Sequence, residues 1–166
     1  RVEAKDKENP KLTAFRRNIH FPELLFDLGL SGHKEERFLI KVESQDQGIV
    51  YPPVITNIKG FGFFFPFPVP SDGVLCSMKI AAMLARAKGR DFYDLMFLLS
   101  QAKPDYDFLS KRCEVHNLQE FKQATAELLR TVDLKKKQKD FEHLLFNKAN
   151  SEKILRFGEL VDSLTE

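Results

Sequence analysis

Tryptophan is absent from this chain and cysteine nearly so. Cys76 and Cys113 are the two cysteines among 166 residues. Their spacing makes no metal pair, and a single bridge is no disulfide framework, so a reducing cytosol is the expected compartment. His20, His33, His116 and His143 lack the close pairing of zinc ligands, which argues against zinc. No apolar run approaches the ~20 residues of a membrane-spanning helix, so no membrane partner is expected, and no signal peptide is visible. Net charge is only +2, so any polyanion site has to be a local cluster. Internal repeats and low-complexity stretches are also missing.

What is present is the balance of a folded soluble protein, 43% hydrophobic and 30% charged. The length suits one ordinary domain or two very small ones. Sixteen Phe predict a Phe-rich core. Residues 1–11 are charged and carry Pro10, and read as a tail or connector. Arg16–Phe21 alternates as a strand that Pro22 ends, and Glu23–Leu28 reads as a helical turn or loop. Arg37–Ser44 is the clearest strand, β-branched and aromatic between polar turns. Residues 54–69 are β-rich, with Pro66 and Pro68 confining Phe63–Val69 to an edge or strand end. At Ser71-Asp72 the period becomes helical, with either residue able to cap. Gly89 is expected to close this first helix as its C-terminal cap, and Asp91 to start a second running to about Gln101. Four further helices are expected near 105–112, 117–131, 137–148 and 151–165. The fold class is α+β, with a β-rich part over 1–72 and a helical part over 73–166.

The most informative stretch runs from Lys79 to Leu95. It places Lys79, Arg86, Lys88, Arg90, Asp91 and Asp94 within sixteen residues. At about 100° per residue, Lys79, Met83 and Arg86 share one helix face, and Ile80, Leu84 and Ala87 share the next, suited to packing on a sheet. Lys offers phosphate a point charge and Arg a two-pronged donor. Asp91 is favourable at a helix start in any case, and Asp91 or Asp94 can also orient Lys79 or an arginine by a salt bridge. Tyr93 is either a lid for the site or core. Glu43, at the end of its strand, is either a metal ligand or a partner of Lys41, with Asp46 as the fallback carboxylate. The run Lys135-Lys-Lys-Gln-Lys139 is a solvated helix face or a weaker candidate for docking an acceptor.

The pattern Lys-x6-Arg-x3-Arg-Asp-x-x-Asp-Leu, from Lys79 to Leu95, resembles the AbiEii/AbiGii toxin family of nucleotidyltransferases. These are abortive-infection and toxin–antitoxin proteins with a DNA polymerase β-like core. The likeness extends to the Pro-interrupted strand Phe63–Pro70, the helix Phe92–Leu99 and the helical region that follows. It implies a partial polymerase β-like sheet followed by a helical bundle. It further implies transfer of a nucleotide from an NTP, with Mg2+, to a hydroxyl on RNA (tRNA-like) or protein, and a cognate antitoxin as partner. Under it Lys79, Asp91 and Asp94 are the catalytic set, Lys79, Arg86 and Arg90 the nucleotide-binding set, and Glu43 a metal ligand.

The chain departs from this family in one respect. The family begins with a Gly-Gly or Gly-Ser turn and an Asp-x-Asp pair, and neither turn occurs here. The one Asp-x-Asp, Asp105-Tyr-Asp107, follows the motif and reads as a helix cap. Two-metal catalysis needs carboxylates that clamp both ions. The expectation is therefore a C-terminal portion whose first motif lies upstream of Arg1, or a degenerate relative, and in either case little turnover by these residues alone. The alternative is a non-catalytic module binding an antitoxin or nucleic acid, and a third reading is a domain whose charged motif is an internal salt-bridge network.

Overall fold

A computed structural model describes residues 3–5 and 14–165. The chain forms two compact units, Arg1–Gly48 and Ile49–Glu166. The last strand ends at Val69, and the boundary between the two units falls after Gly48, in the loop that precedes the second pair of strands.

The first unit is a three-stranded antiparallel sheet in the order β1 (Glu3–Lys5), β2 (Ala14–Phe21), β3 (Phe38–Gln45), with one helical turn, α1 (Leu24–Asp27), between β2 and β3. Part of the tail expected over 1–11 is thus a strand: Glu3–Lys5 pair with Asn18–His20. No sequence pattern marks it, because a ladder with β2 depends on the partner's free backbone edge and not on alternation. The remainder of that tail lies outside the described residues. The β2–β3 register sets Phe21 opposite Phe38 and Arg16 opposite Glu43, and the two Phe rings lie 5.9 Å apart.

The second unit opens with a hairpin, β4 (Val54–Gly60) and β5 (Phe63–Val69). Phe61 and Gly62 turn it with φ of 48° and 83°, the positive pair of a type I′ hairpin turn. Pro66 and Pro68, two apart, put their missing N–H groups on the same edge. That is the outer edge if the ladder to β4 is to run unbroken.

Six helices follow: α2 (Asp72–Arg86), α3 (Gly89–Leu99), α4 (Tyr106–Cys113), α5 (Leu118–Thr131), α6 (Leu134–Phe141) and α7 (Phe157–Ser163). Short 3-10 segments at Glu142–Leu144 and Lys148–Arg156 separate the last two. Side chains cap the starts of four of them, α2, α4, α5 and α6. Ser71 accepts from the N–H of Val74 and Asp105 from that of Phe108, so Asp105 is the helix cap that its position suggests. Asp133 accepts from the N–H groups of Lys135 and Lys136, so α6 begins three residues before the expected 137. The long helices expected to 148 and from 151 give way to 3-10 turns, where Asn147 caps Ala149.

Gly89 is not the C-terminal cap of α2. Ala87 takes the left-handed position, at φ 45° and ψ 47°, and Gly89 starts α3. The reason is tertiary: a Cβ on Gly89 would lie 2.0 Å from the carbonyl oxygen of Lys137 and 2.7 Å from the Phe141 ring. Glycine is needed here for the close approach of α6, not for its conformational freedom.

The core gathers Ile80, Met83, Phe92, Leu95, Leu109, Phe121, Ile154 and Phe157, all fully buried. Phe92 and Phe157 meet edge to face at 5.1 Å, each burial contributing about 1.5–3 kcal/mol. The expectation of a Phe-rich core is only partly met. Phe92, Phe108, Phe121, Phe141 and Phe157 are buried, but Phe63, Phe64, Phe65 and Phe67 of β5 are exposed, as is Phe61. Among the described residues helix α2 packs chiefly against α3, α4 and α5 rather than on a sheet. Met83 therefore turns inward with Ile80 and does not share the rim with Lys79 and Arg86. No helix among the described residues is long and apolar enough to cross a membrane.

Candidate functional site

Helices α2 and α3 are joined by Ala87 and Lys88 and fold back on each other as a hairpin. Lys79 and Arg86 lie two turns apart on α2, about 10 Å of helix rise. On the returning helix Asp91 sits in the first turn and Asp94 about one turn on. An antiparallel hairpin therefore brings Arg86 to Asp91 and Lys79 to Asp94.

The side chains follow that register. Arg86 Nε and Nη2 donate to the two oxygens of Asp91, both at 2.8 Å. Lys79 Nζ donates to Asp94 Oδ2 at 2.9 Å and lies 3.6 Å from Asp91 Oδ1. Asp91 is wholly buried, while the Lys79 side chain keeps 24% of its exposure and that of Asp94 45%. Burial alone pushes the Asp91 carboxyl up, but the hydrogen bonds and charge of Arg86, with the charges of Lys79 and Arg90, outweigh it and hold the group below its ordinary range. The same pair raises Arg86, chiefly through the hydrogen bond to Asp91. A buried carboxylate is tolerable on these terms, with both oxygens bonded and a charge partner in contact.

Two cavities flank this network. The larger, about 620 Å3, is lined by Lys79, Tyr93, Asp94, Phe97 and Lys153 among others, within the size range of small-molecule sites. The smaller, about 400 Å3, is lined by Arg86, Lys88, Gly89, Arg90, Lys137 and Asp140 with Phe141 and Leu144. Lys79 and Arg90, expected together on the nucleotide, thus line different cavities, and Asp91 is sealed in the network that joins their helices. Tyr93 is half-buried, its ring 5.5 Å from that of Phe141, and also lines the larger cavity, so it has a part in both core and site. Lys153 was not foreseen; it comes from a 3-10 segment with no charge pattern to mark it.

Glu43 belongs to the first unit. Its carboxylate is taken by Arg16, directly opposite on β2, and by Lys41 at 3.1 Å. The hydrogen bond from Lys41 is the largest influence lowering its carboxyl, with Arg16 acting in the same direction. Sequence reasoning anticipated Lys41 and missed Arg16, which the antiparallel register of β2 and β3 would have supplied. Among the described residues no group of three or more His, Cys, Asp or Glu side chains gathers to hold a metal ion. The residues described therefore do not fit a two-metal centre.

The family model "Nucleotidyl transferase AbiEii toxin, Type IV TA system" matches residues 2–159, nearly the whole chain. No curated protein matches the chain, and no solved structure does.

Proposed function

Because the chain belongs to the AbiEii family of nucleotidyl transferase toxins, we propose that it contributes the nucleotide-holding part of an enzyme that transfers a nucleotide from an NTP to a hydroxyl on RNA or protein. The observation that carries this reading is the state of Lys79. Its amine sits at the wall of a cavity of about 620 Å3, bonded to an Asp94 carboxylate that is itself nearly half exposed. Pairs of that kind are worth about 0–1 kcal/mol, so a triphosphate can displace Asp94 at little cost. Asp91, with no exposed surface, cannot touch a substrate and acts as a positioning residue. It fixes Arg86 and, through the 3.6 Å contact, the base of the Lys79 swing. Phosphoryl transfer depends mostly on positioning and charge neutralisation, and this is the part the network supplies. Magnesium enters this reading as the counterion of the triphosphate, and the toxin's counterpart as an antitoxin. The setting is the cytoplasm.

The test is binding of a fluorescent NTP analogue by the 166-residue chain. Lys79→Ala is expected to weaken it tenfold or more, and Lys79→Arg to retain most of it. Unchanged affinity in Lys79→Ala refutes the triphosphate role. Transfer itself is expected to be weak or absent, since the chain holds no glycine turn followed by Asp-x-Asp. Robust metal-dependent transfer by these residues alone refutes that part.

The second reading, a module that binds without chemistry, draws on the same network. Arg86 bonds both oxygens of the buried Asp91, as in a purely structural ion pair. NTP binding that depends on Lys79 separates the two.

A further inference from the structure

The hairpin of α2 and α3 splits its cations into two populations. Lys79 and Arg86 are bonded to Asp94 and Asp91. Lys88, Arg90 and Lys137 form no side-chain hydrogen bond or ion pair with any described residue, and all three line the cavity of about 400 Å3. The one carboxylate at that cavity is Asp140, and Arg86, which also lines it, is already neutralised by Asp91.

Three cations without a bonded partner around one cavity repel one another, and Asp140 with the more distant charge of Asp91 offsets only part of that repulsion. They are not scattered lysines of a mobile surface. Lys88 and Arg90 flank Gly89 at the start of α3, and the backbone of α6 is pressed onto that glycine so closely that a Cβ would meet the Lys137 carbonyl at 2.0 Å. Close packing thus holds the cations of two helices side by side. The positive charge also runs on beyond the cavity, along α6, through the exposed Lys135, Lys136 and Lys139. A net charge of +2 for the whole chain makes this a local patch, not a general property of the surface.

We propose that this cavity and the adjoining face of α6 bind the phosphodiester backbone of a nucleic-acid strand. A compact triphosphate would need charge converging on one point, whereas these cations continue along a helix, which suits successive phosphates of a chain. The inference rests on the transferase reading and deepens it by siting the acceptor: the strand lies on the Lys88–Lys137 face, one cavity away from Lys79.

The experiment is fluorescence anisotropy of an end-labelled single-stranded RNA oligonucleotide with the 166-residue chain. With three phosphate contacts, affinity is expected to fall about twentyfold between 50 and 200 mM salt, a log–log slope of about −2. Lys88→Ala with Lys137→Ala is expected to weaken binding tenfold or more at 50 mM salt and to flatten the slope, whereas Lys88→Arg with Lys137→Arg keeps it. Lys111→Ala with Arg112→Ala, which removes two exposed charges from α4, is the matched control and is expected to change affinity less than twofold. Equal losses in the two alanine pairs, or a wild-type slope near zero, overturn the proposal. So does displacement of the RNA by equimolar NTP together with loss of NTP binding in the Lys88/Lys137 pair, which would assign the cavity to the free nucleotide. Loss of NTP binding in Lys79→Ala bears on the preceding reading alone, so either can fail while the other stands.

Discussion

Replacing Asp91 by Asn keeps the shape of the side chain and removes its charge. Breaking a buried ion pair by deleting one partner costs about 3–5 kcal/mol, because the other charge is stranded. Here the stranded groups are Arg86 and Lys79, whose side chains keep 42% and 24% of their exposure, so both can regain water. The expected loss is therefore below that range, about 2–3 kcal/mol, or about 5–10 °C in Tm for a protein of this size. The pH dependence has a definite sign. The folded carboxyl lies below its ordinary range, so its contribution is complete above the unfolded value of about 3.9 and is lost as pH falls through the folded one. The gap between wild type and Asp91→Asn should thus be full at pH 7 and shrink progressively below about pH 4. Urea unfolding followed by tyrosine fluorescence measures it cleanly, since Tyr51, Tyr93 and Tyr106 are the three tyrosines and all belong to the second unit. Adding Arg86→Gln to Asp91→Asn should recover part of the loss by removing the stranded cation. A variant within about 0.5 kcal/mol of wild type at pH 7, the scatter of ordinary surface changes, refutes the reasoning, as does a gap that persists unchanged at pH 3.

Gly89→Ala should cost about 3 kcal/mol or more, since its Cβ meets helix backbone that cannot rotate away. Gly62→Ala, at positive φ but in open space, should cost about 1–2 kcal/mol, and a urea series in which the two are equal would contradict the packing argument. Cys76 is buried, and burial pushes its thiol up to about 12, while Cys113 is half-buried. Burial raises the Cys113 thiol as well, so an aromatic disulfide reagent at pH 8 should modify Cys113 ahead of the fully buried Cys76 in the native protein, and Cys113→Ser should abolish the faster phase; two thiols reacting at similar rates would count against it.

The features legible in the sequence are those set by neighbours along the chain. Strand β3 showed itself through the β-branched and aromatic run at 37–44, and the helix starts through Ser71 and Asp105, because capping is a contact over three residues. The α2–α3 ion pairs were half legible: the spacing put cations and acids within reach, and a short helix connection made the antiparallel register natural. Gly89 misled because a glycine after a helical run signals a cap, and nothing local reveals that α6 will press against it. The exposed phenylalanines of β5 misled for the same reason, since alternation marks a strand but not what covers it. The division between the two cavities was out of reach, because it depends on where Lys137 and Lys153 arrive from segments distant in sequence.

That division changes what the motif means. Read along the chain, Lys79, Arg86, Lys88 and Arg90 form one cationic cluster with two acids beside it. In the fold the two acids consume two of the cations, and they do so selectively. Asp91 takes Arg86 with both oxygens in the interior, where the pair is hard to exchange, and Asp94 takes Lys79 near the surface, where a competing anion can enter. Lys88 and Arg90, on the far side of the helix turn, are left to join Lys137. A triphosphate and a nucleic-acid strand carry the same phosphate chemistry, and a single undivided cluster would bind whichever was more concentrated. Under the two proposals made above, the carboxylates on one side and none but Asp140 on the other give the two anions different terms. A triphosphate would have to displace Asp94, and a strand would meet cations that no side chain bonds. Specificity of this kind lies in where the acids stand, so moving one should matter more than adding a cation.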